Sequence, residues 1–356
     1  MAASRDHTAR IWEAETGRLV SELKGHGDSL ASAVYSSDGT RVVTASVDHT
    51  ARVWEVETGK LVSELKGHAD SLVSAAYSPD GKRVVTGSMD KTARVWEAET
   101  GRLVAELKGH GDSIISAAYS PDGKRVVTAS WDKTARVWEA ETGRLVAELK
   151  GHGDKIWSAV YSPDGKRVVT ASEDKTARVW EAETGRLVAE LKGHGDRVRS
   201  AVYSPDGARV VTASWDHTAR VWEAETTRLV AELKGHGSSI RSAVYSPDGK
   251  RVLTASRDQT ARVWEAETGR LVAELKGHGD RVWSAVYSPD GQRIVTASGD
   301  QTARVWDASQ EIRSLEQVSK RICCYSPMRF EPEDSNILVW TIPDPTSCQA
   351  TEHPSP

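Results

Sequence analysis

The chain has 356 residues, and its 47 Lys and Arg against 51 Asp and Glu give a formal net charge of −4 at pH 7. This near-neutral balance provides no bulk attraction to nucleic acid or acidic membranes, so neither is expected as a partner. No apolar run is long enough to span a bilayer, and the first residues lack the apolar segment of a signal peptide. Cys323, Cys324 and Cys348 lack the spacing of a zinc site, so we expect reduced thiols in a cytoplasmic protein without a metal or cofactor.

The chain opens inside a repeating pattern. Ser4, Asp6 and Trp12 occupy positions that recur later in every unit, and RLVSELK (18–24) matches a strand that also recurs. Residues 1–24 therefore supply half of a structural unit, with two outer strands and no inner ones.

The pattern continues as a repeat of 42 residues over 25–307, in which the dipeptide Gly-His occurs seven times. Its histidines are His26, His68, His110, His152, His194, His236 and His278. A unit of this length cannot bury its own apolar faces, so neighbouring units must stack. The repeat therefore predicts one array rather than two separate domains.

Each unit reads as four short antiparallel strands. In the unit around His110, the apolar segments SIISAAYS (113–120) and KRVVTAS (124–130) suit strands buried on both faces. ARVWEA (135–140) follows, and RLVAELK (144–150) mixes charges into its alternation, as an exposed edge strand does. The turns between them contain Pro and Gly. The fold class is therefore all-β.

The chain diverges after the seventh repeat. RICCYSP (321–327) resembles an innermost strand and NILVWT (336–341) a second strand, or else a strand of the Trp type. We treat 308–342 as a divergent segment that contains these candidate strands. Residues 343–356 are rich in Pro, Ser and Thr, which predicts disorder.

Gly-His, Ser-x-Asp and a Trp followed by an acid, at this spacing, resemble the WD40 repeat of β-propellers. Only Trp306-Asp307 is literally Trp-Asp, and the other copies read Trp-Glu. The resemblance implies a blade for each repeat, with a hydrogen-bonded tetrad of His, Ser, Asp and Trp inside it. Carried onto three of the repeats, the tetrads are His26, Ser46, Asp48, Trp54; His152, Ser172, Asp174, Trp180; and His278, Ser298, Asp300, Trp306.

The two ends of the chain allow two blade counts. Two inner strands from 308–342 could pair with the outer strands of 1–24 and close an eighth blade, which we favour because closure removes open sheet edges. In the alternative, residues 18–24 close the seventh blade, and both ends are left over.

The same residues could suggest chemistry. Ser, His and Asp invite comparison with a hydrolase triad, but seven equivalent nucleophiles have no use in one enzyme, and no GxSxG segment presents the serines. A metal site shared by the histidines fails because the repeat places them in different blades. We therefore expect a structural network and no enzymatic activity.

The nearly identical repeats differ mainly in loops that the family places on one face of the disk, its top face. Trp and Arg, which often anchor interfaces, are concentrated there, and exposed Trp side chains need a reason. The predicted ligand-binding residues are Trp131, Lys155, Trp157, Glu173, Arg197, Arg199, Trp215, Arg241, Arg257, Arg281 and Trp283.

These features predict a monomeric, non-catalytic scaffold whose top face binds a protein or peptide, with an acidic or phosphorylated residue near Arg199 and Arg241. The alternative is a sensory or regulatory portion of a larger signalling protein, truncated at its N-terminus, because the chain starts within a repeat.

Overall fold

The computed structural model describes residues 2–3, 6–14 and 16–308, and the regular structure of these residues consists of strands. They form eight antiparallel sheets in chain order. The first sheet contains β1 (Ala2–Ala3), β2 (Thr8–Trp12) and β3 (Leu19–Lys24). The last contains β28 (Val282–Tyr287), β29 (Arg293–Ser298) and β30 (Ala303–Asp307).

Six sheets of four strands each lie between these two in the sequence. The second, third and fourth sheets are built from β4 (Leu30–Tyr35), β5 (Arg41–Ser46), β6 (Thr50–Glu55), β7 (Leu61–Lys66); β8 (Leu72–Tyr77), β9 (Arg83–Ser88), β10 (Thr92–Glu97), β11 (Leu103–Lys108); and β12 (Ile114–Tyr119), β13 (Arg125–Ser130), β14 (Thr134–Glu139), β15 (Leu145–Lys150). The fifth, sixth and seventh are built from β16 (Ile156–Tyr161), β17 (Arg167–Ser172), β18 (Ala177–Glu181), β19 (Leu187–Leu191); β20 (Val198–Tyr203), β21 (Arg209–Ser214), β22 (Ala219–Glu223), β23 (Leu229–Leu233); and β24 (Ile240–Tyr245), β25 (Arg251–Ser256), β26 (Ala261–Glu265), β27 (Leu271–Leu275).

Burial along the strands follows their position in the sheet. In β13, every residue after Arg125 is buried, which agrees with the continuous apolar run. In β15, Leu145 and Lys150 are exposed whereas Ala147 and Leu149 are buried, which is the alternation of an outer strand. The prediction of four antiparallel strands per repeat, with a charged outermost strand, is confirmed.

The apolar core lies between successive sheets rather than within one. Val127 and Ala129 of β13 share a buried cluster with Ile156 and Trp180 of the next sheet. The innermost strands of neighbouring sheets also contact one another, as β12 does with β16. Each repeat therefore completes the core of the one before it, and this stacking explains why the units form one array.

The first sheet differs from the sequence-based expectation of two outer strands. β3 pairs with β2, and β1 adds a third strand through the pairs Ala2↔Arg10 and Ala3↔Ala9. The inner strands expected from 308–342 and the tail 343–356 lie outside the described residues, except for Ala308. The choice between eight and seven blades depends on them and stays a prediction.

The turn between the third and fourth strands requires positive φ. Gly143 has φ +71°, and a Cβ there would lie 2.8 Å from the backbone oxygen of Glu106, so only glycine fits without strain. In the sixth sheet, Thr227 stands in this place with φ +63°. A β-branched residue is an outlier in this region, so the backbone at Thr227 is strained.

Candidate functional site

A polar network recurs in seven of the sheets and joins the second and third strands to two adjoining loops. In the fifth sheet, Trp180 Nε1–H donates to Thr170 Oγ1 at 2.8 Å, and Thr170 Oγ1 lies 2.7 Å from His152 Nε2. His152 Nδ1 lies 2.7 Å from Asp174 Oδ2, which also accepts the N–H of Gly153. With the imidazole neutral, protons at the indole, the hydroxyl and Nδ1 satisfy the whole chain.

The network corrects one member of the expected tetrad. Ser172 has no hydrogen bond to His152; its Oγ donates to the carbonyl of Asp154 at 3.0 Å and accepts the N–H of Asp174 at 3.1 Å. The hydroxyl that joins Trp and His belongs to the Thr two residues earlier. The seven equivalent threonines are Thr44, Thr86, Thr128, Thr170, Thr212, Thr254 and Thr296.

Strand geometry explains this correction. Thr170 and Ser172 lie on the same face of β17, but Thr170 is level with the indole whereas Ser172 lies at the strand end beside the loop. Thr170 is fully buried, and a buried hydroxyl needs a partner. The sequence did contain a signal for this hydroxyl, because a threonine recurs at the same position in the second strand of every repeat.

The hydrogen bonds of the network differ from those of a Ser–His–Asp triad, because Ser172 does not contact His152. Although burial opposes the charged form, hydrogen bonds from His152 and Thr176 hold the pKa of Asp174 well below its usual range. Burial lowers the pKa of His152, which favours the neutral imidazole. A Ser–His–Asp triad needs a hydrogen bond between Ser and His. The same arrangement, with Thr in place of Ser, recurs for His26 with Asp48 and Trp54, and for His278 with Asp300 and Trp306.

The predicted top-face residues lie near one another, with most of them in three contacting groups, and we call the whole set the aromatic–cationic patch. It comprises Trp131, Lys155, Trp157, Glu173, Arg197, Arg199, Trp215, Arg241, Arg257, Arg281 and Trp283. Its members come from the innermost strands and from the loops that adjoin them.

One side of the patch is closed by apolar packing. Trp131 and Trp157 meet edge to face, with centroids 5.8 Å apart and planes at 83°. Val73 and Ile115 pack with them, and Trp157 is only 6% exposed. The expectation that all of these Trp side chains are exposed is therefore wrong for Trp157, because the smaller residues of earlier repeats cover it.

The other side carries guanidinium groups without carboxylate partners. Arg199 lies 4.0 Å above the ring of Trp157, and Arg241 lies 4.8 Å from the ring of Trp283. Within the described part of the chain, neither guanidinium has a hydrogen bond or an ion pair. Burial lowers the pKa of Arg199, with a further contribution from the charge of Arg241. Burial also lowers the pKa of Arg241 to about 10, with contributions from Arg257 and Arg281.

In the outer part of the patch, Lys and Arg side chains form cation–π contacts with Trp rings. Arg197 and Arg257 lie 4.9 and 4.8 Å from the centroid of Trp215. Arg197 also forms an ion pair of 3.4 Å with Glu173, the one carboxylate of the patch. Lys155 lies 4.3 Å from the ring of Trp131. Cation–π contacts of this kind hold the charged groups against the aromatic faces.

The family comparison agrees with this architecture. The model of the WD40 family, described as WD domain, G-beta repeat, matches residues 17–55, 59–97, 101–139, 143–181, 185–223, 227–265 and 269–307. These matches cover most of the chain, so the protein belongs to the WD40 repeat family and has the all-β propeller fold.

Among solved structures, the crystal structure of the computationally designed protein Ika8 is similar to this chain. It aligns with a TM-score of 0.77 and 29% identity, over 85% of this chain and 91% of that chain. The comparison with curated proteins gave no match. In the described residues, no helix is long and apolar enough to cross a membrane, and no three His, Cys, Asp or Glu side chains form a metal-binding group.

Proposed function

We propose that this protein is a non-catalytic scaffold whose aromatic–cationic patch binds an acidic or phosphorylated segment of another protein. WD40 domains generally mediate protein interactions. The observation that carries the finer proposal is the pair Arg199 and Arg241, whose guanidinium groups contact aromatic rings but no carboxylate. A cytoplasmic monomer is part of the same proposal.

The energetics of the unliganded patch support an anionic partner. A buried charge without a counter-ion is costly, and two like charges close together add to that cost. The cation–π contacts offset roughly 1–2 kcal/mol each. An incoming carboxylate or phosphate would offset the rest of the free-energy cost of these charges by accepting charge-assisted hydrogen bonds from both guanidinium groups.

The aromatic residues favour the same class of ligand. The indole N–H groups of Trp131, Trp157 and Trp215 are buried and have no acceptor among the described residues. The patch therefore combines donors that lack acceptors with an excess of positive charge. A ligand rich in acceptor oxygens satisfies both conditions, whereas a neutral apolar peptide satisfies neither.

The test uses charge reversal with matched controls on the opposite face. Arg199→Glu and Arg241→Glu should each weaken capture of the partner at least tenfold and flatten its salt dependence, since loss of a hydrogen-bonded charge typically costs about 2–5 kcal/mol. Lys82→Glu and Lys124→Glu make the same charge change in exposed turns of the opposite face and should bind normally.

A pulldown with the Trp157→Ala/Trp283→Ala double variant identifies partners that need the patch, and isothermal titration then gives their affinities. Loss of partner capture in the Lys82 and Lys124 variants, together with normal binding by the Arg199 and Arg241 variants, would contradict the proposal. Circular dichroism and melting curves check that every variant is folded.

A further inference from the structure

The face opposite the patch is built from SPDG-type turns that share one geometry. In the sixth sheet, Ser204 Oγ donates to Asp206 Oδ1 at 2.5 Å, and the N–H of Ala208 donates to the same oxygen at 3.0 Å. In the seventh sheet, the corresponding bond from Lys250 N–H to Asp248 measures 3.1 Å. The backbone is thus the same, and only the side chain at the position of Ala208 differs.

That position holds lysine in four repeats, namely Lys82, Lys124, Lys166 and Lys250, and a polar residue, Thr40 or Gln292, in two others. Ala208 is the one member of this set without a polar side chain. In the preceding repeat, Lys166 Nζ lies 3.9 Å from Asp164. Asp206 has no lysine of its own, and the described residues give it no ion pair.

A cleft of about 440 Å³ lies at this place, between the fifth and sixth sheets. Its lining contains four carboxylates, those of Asp164, Asp206, Glu223 and Glu225, and two guanidinium groups, those of Arg167 and Arg209. Both guanidinium groups are engaged, because Arg167 pairs with Glu225 at 3.4 Å and Arg209 pairs with Glu267 at 2.6 Å. The carboxylates are engaged as well, since Glu223 pairs with Arg228 and Asp164 lies 3.9 Å from Lys166. Asp206 is the one lining carboxylate that the described residues leave without an ion pair.

A second observation points to a ligand. Tyr203 lines the cleft and is only 9% exposed, and its hydroxyl is buried without a hydrogen-bond partner. The equivalent tyrosines share this lack of a partner, but the lining at Tyr203 includes the alanine that replaces lysine. Burial raises the pKa of Tyr203, so the hydroxyl stays neutral and can accept a hydrogen bond from an ammonium group.

We propose that the cleft at Ala208 is a second binding site, which takes the ammonium group of a lysine side chain from a partner. The incoming lysine supplies the charge that Lys82, Lys124, Lys166 and Lys250 supply within their own turns. Asp206 is its ion-pair partner, Tyr203 is its hydrogen-bond acceptor, and the space above Ala208 admits its aliphatic stem. The site lies on the face opposite the patch, so it stands independently of the proposed function.

The probe is the capped peptide acetyl-Gly-Lys-Gly-amide, added to the full ¹⁵N-labelled chain, with the norleucine peptide as the uncharged control. The lysine peptide should shift the amide signals of Ala208 and Thr226 in a saturable way, and the norleucine peptide should not. Ala208→Lys should reduce the apparent affinity at least tenfold, and because four repeats carry lysine in this same turn, this variant is expected to fold.

The reverse change gives a gain of function. Lys250→Ala should open an equivalent cleft one blade further on, so that the lysine peptide now also shifts the signals of residue 250. Binding that is unchanged by Ala208→Lys, or equal shifts with the norleucine peptide, would overturn the proposal. Saturable binding of spermidine without binding of the lysine peptide would also overturn it, by identifying the occupant as a free amine. Arg199→Glu should leave this titration unchanged.

Discussion

The interior of the blades and the aromatic–cationic patch use similar residues in opposite ways. Inside a blade, Trp180, Thr170, His152 and Asp174 satisfy one another through hydrogen bonds of 2.7–2.8 Å. In the patch, Arg199 and Arg241 rest on indole rings and lack an acceptor. The blade network stabilises the fold, and its hydrogen-bond donors and acceptors are all paired. The patch keeps unpaired donors that a ligand could use, at some cost in stability.

The comparison also explains where the repeats vary. The network is the same in all seven repeats because each member is fixed by the next, and one change leaves a buried group unpaired. The second residue of the innermost strand has no such partner, and there the chain carries Ala31, Val73, Ile115, Trp157, Arg199, Arg241 and Trp283. Much of the variation therefore falls at positions outside the network.

The largest expected effect is acid unfolding through all seven networks together. The pKa of Asp174 is held well below its usual range in the folded protein, so its contribution is present above the unfolded pKa of about 4 and is lost as pH falls further. The lowered pKa of His152 adds stability that is present above about pH 6.5 and declines below it.

Melting temperature should therefore begin to fall below about pH 6.5 and fall most steeply below about pH 4, by on the order of 10 °C in total. Differential scanning calorimetry across this range checks the profile. Because the pairs are buried, 0.5 M salt should change it little. A melting temperature that stays constant from pH 7 to about pH 2 would show that the networks do not control stability.

The second effect isolates one network. His152→Ala removes the group between Thr170 and Asp174 and should lower the free energy of unfolding by about 1–3 kcal/mol. Urea denaturation followed by tryptophan fluorescence measures the change. His217→Ala is the matched control, because His217 is exposed in a loop and should alter stability little. If an esterase activity disappeared with His152→Ala while the melting temperature was unchanged, the network would not be purely structural.

The third prediction is that removing a charge from the patch stabilises the protein. Arg199→Leu removes a largely buried charge that has no carboxylate partner and should stabilise the unliganded protein by about 1 kcal/mol. Arg178→Leu is the control, because Arg178 pairs with Glu190 at 2.7 Å and its loss should destabilise the protein. Thermal melting of both variants in partner-free buffer gives the answer. Destabilisation of similar size in both would mean that Arg199 is as structural as Arg178.

The smallest effect concerns backbone strain. Thr227→Gly should raise stability by about 1 kcal/mol, because glycine adopts the observed positive φ without penalty. Gly185→Thr makes the reverse change in the preceding blade, where a Cβ would lie 2.7 Å from the backbone oxygen of Glu148, and should destabilise by more. The melting temperatures of the two variants measure both. A lower value for Thr227→Gly would indicate that the turn has adapted to threonine.

Much of the fold could be predicted from the sequence because the information is local and repeated. The alternation of apolar and polar residues, the apolar runs and the turn residues together predict the four strands of each repeat. The repeat length of 42 residues predicts that the units stack. Six other units carry glycine at the place of Thr227, which indicates a turn that needs positive φ. The membership of the patch followed from comparing near-identical copies with one another.

Other features were decided only by the tertiary structure. Sequence spacing pointed to Ser172, but Thr170 is the residue of β17 that lies level with both Trp180 and His152, and spacing does not encode that difference. The burial of Trp157 depends on Val73 and Ile115 from two other blades, so no local pattern could show it. The cleft beside Ala208 likewise arises between two sheets. The sequence determined the repeating unit, because strands and turns depend on neighbouring residues; the contacts between units were decided by how the blades pack.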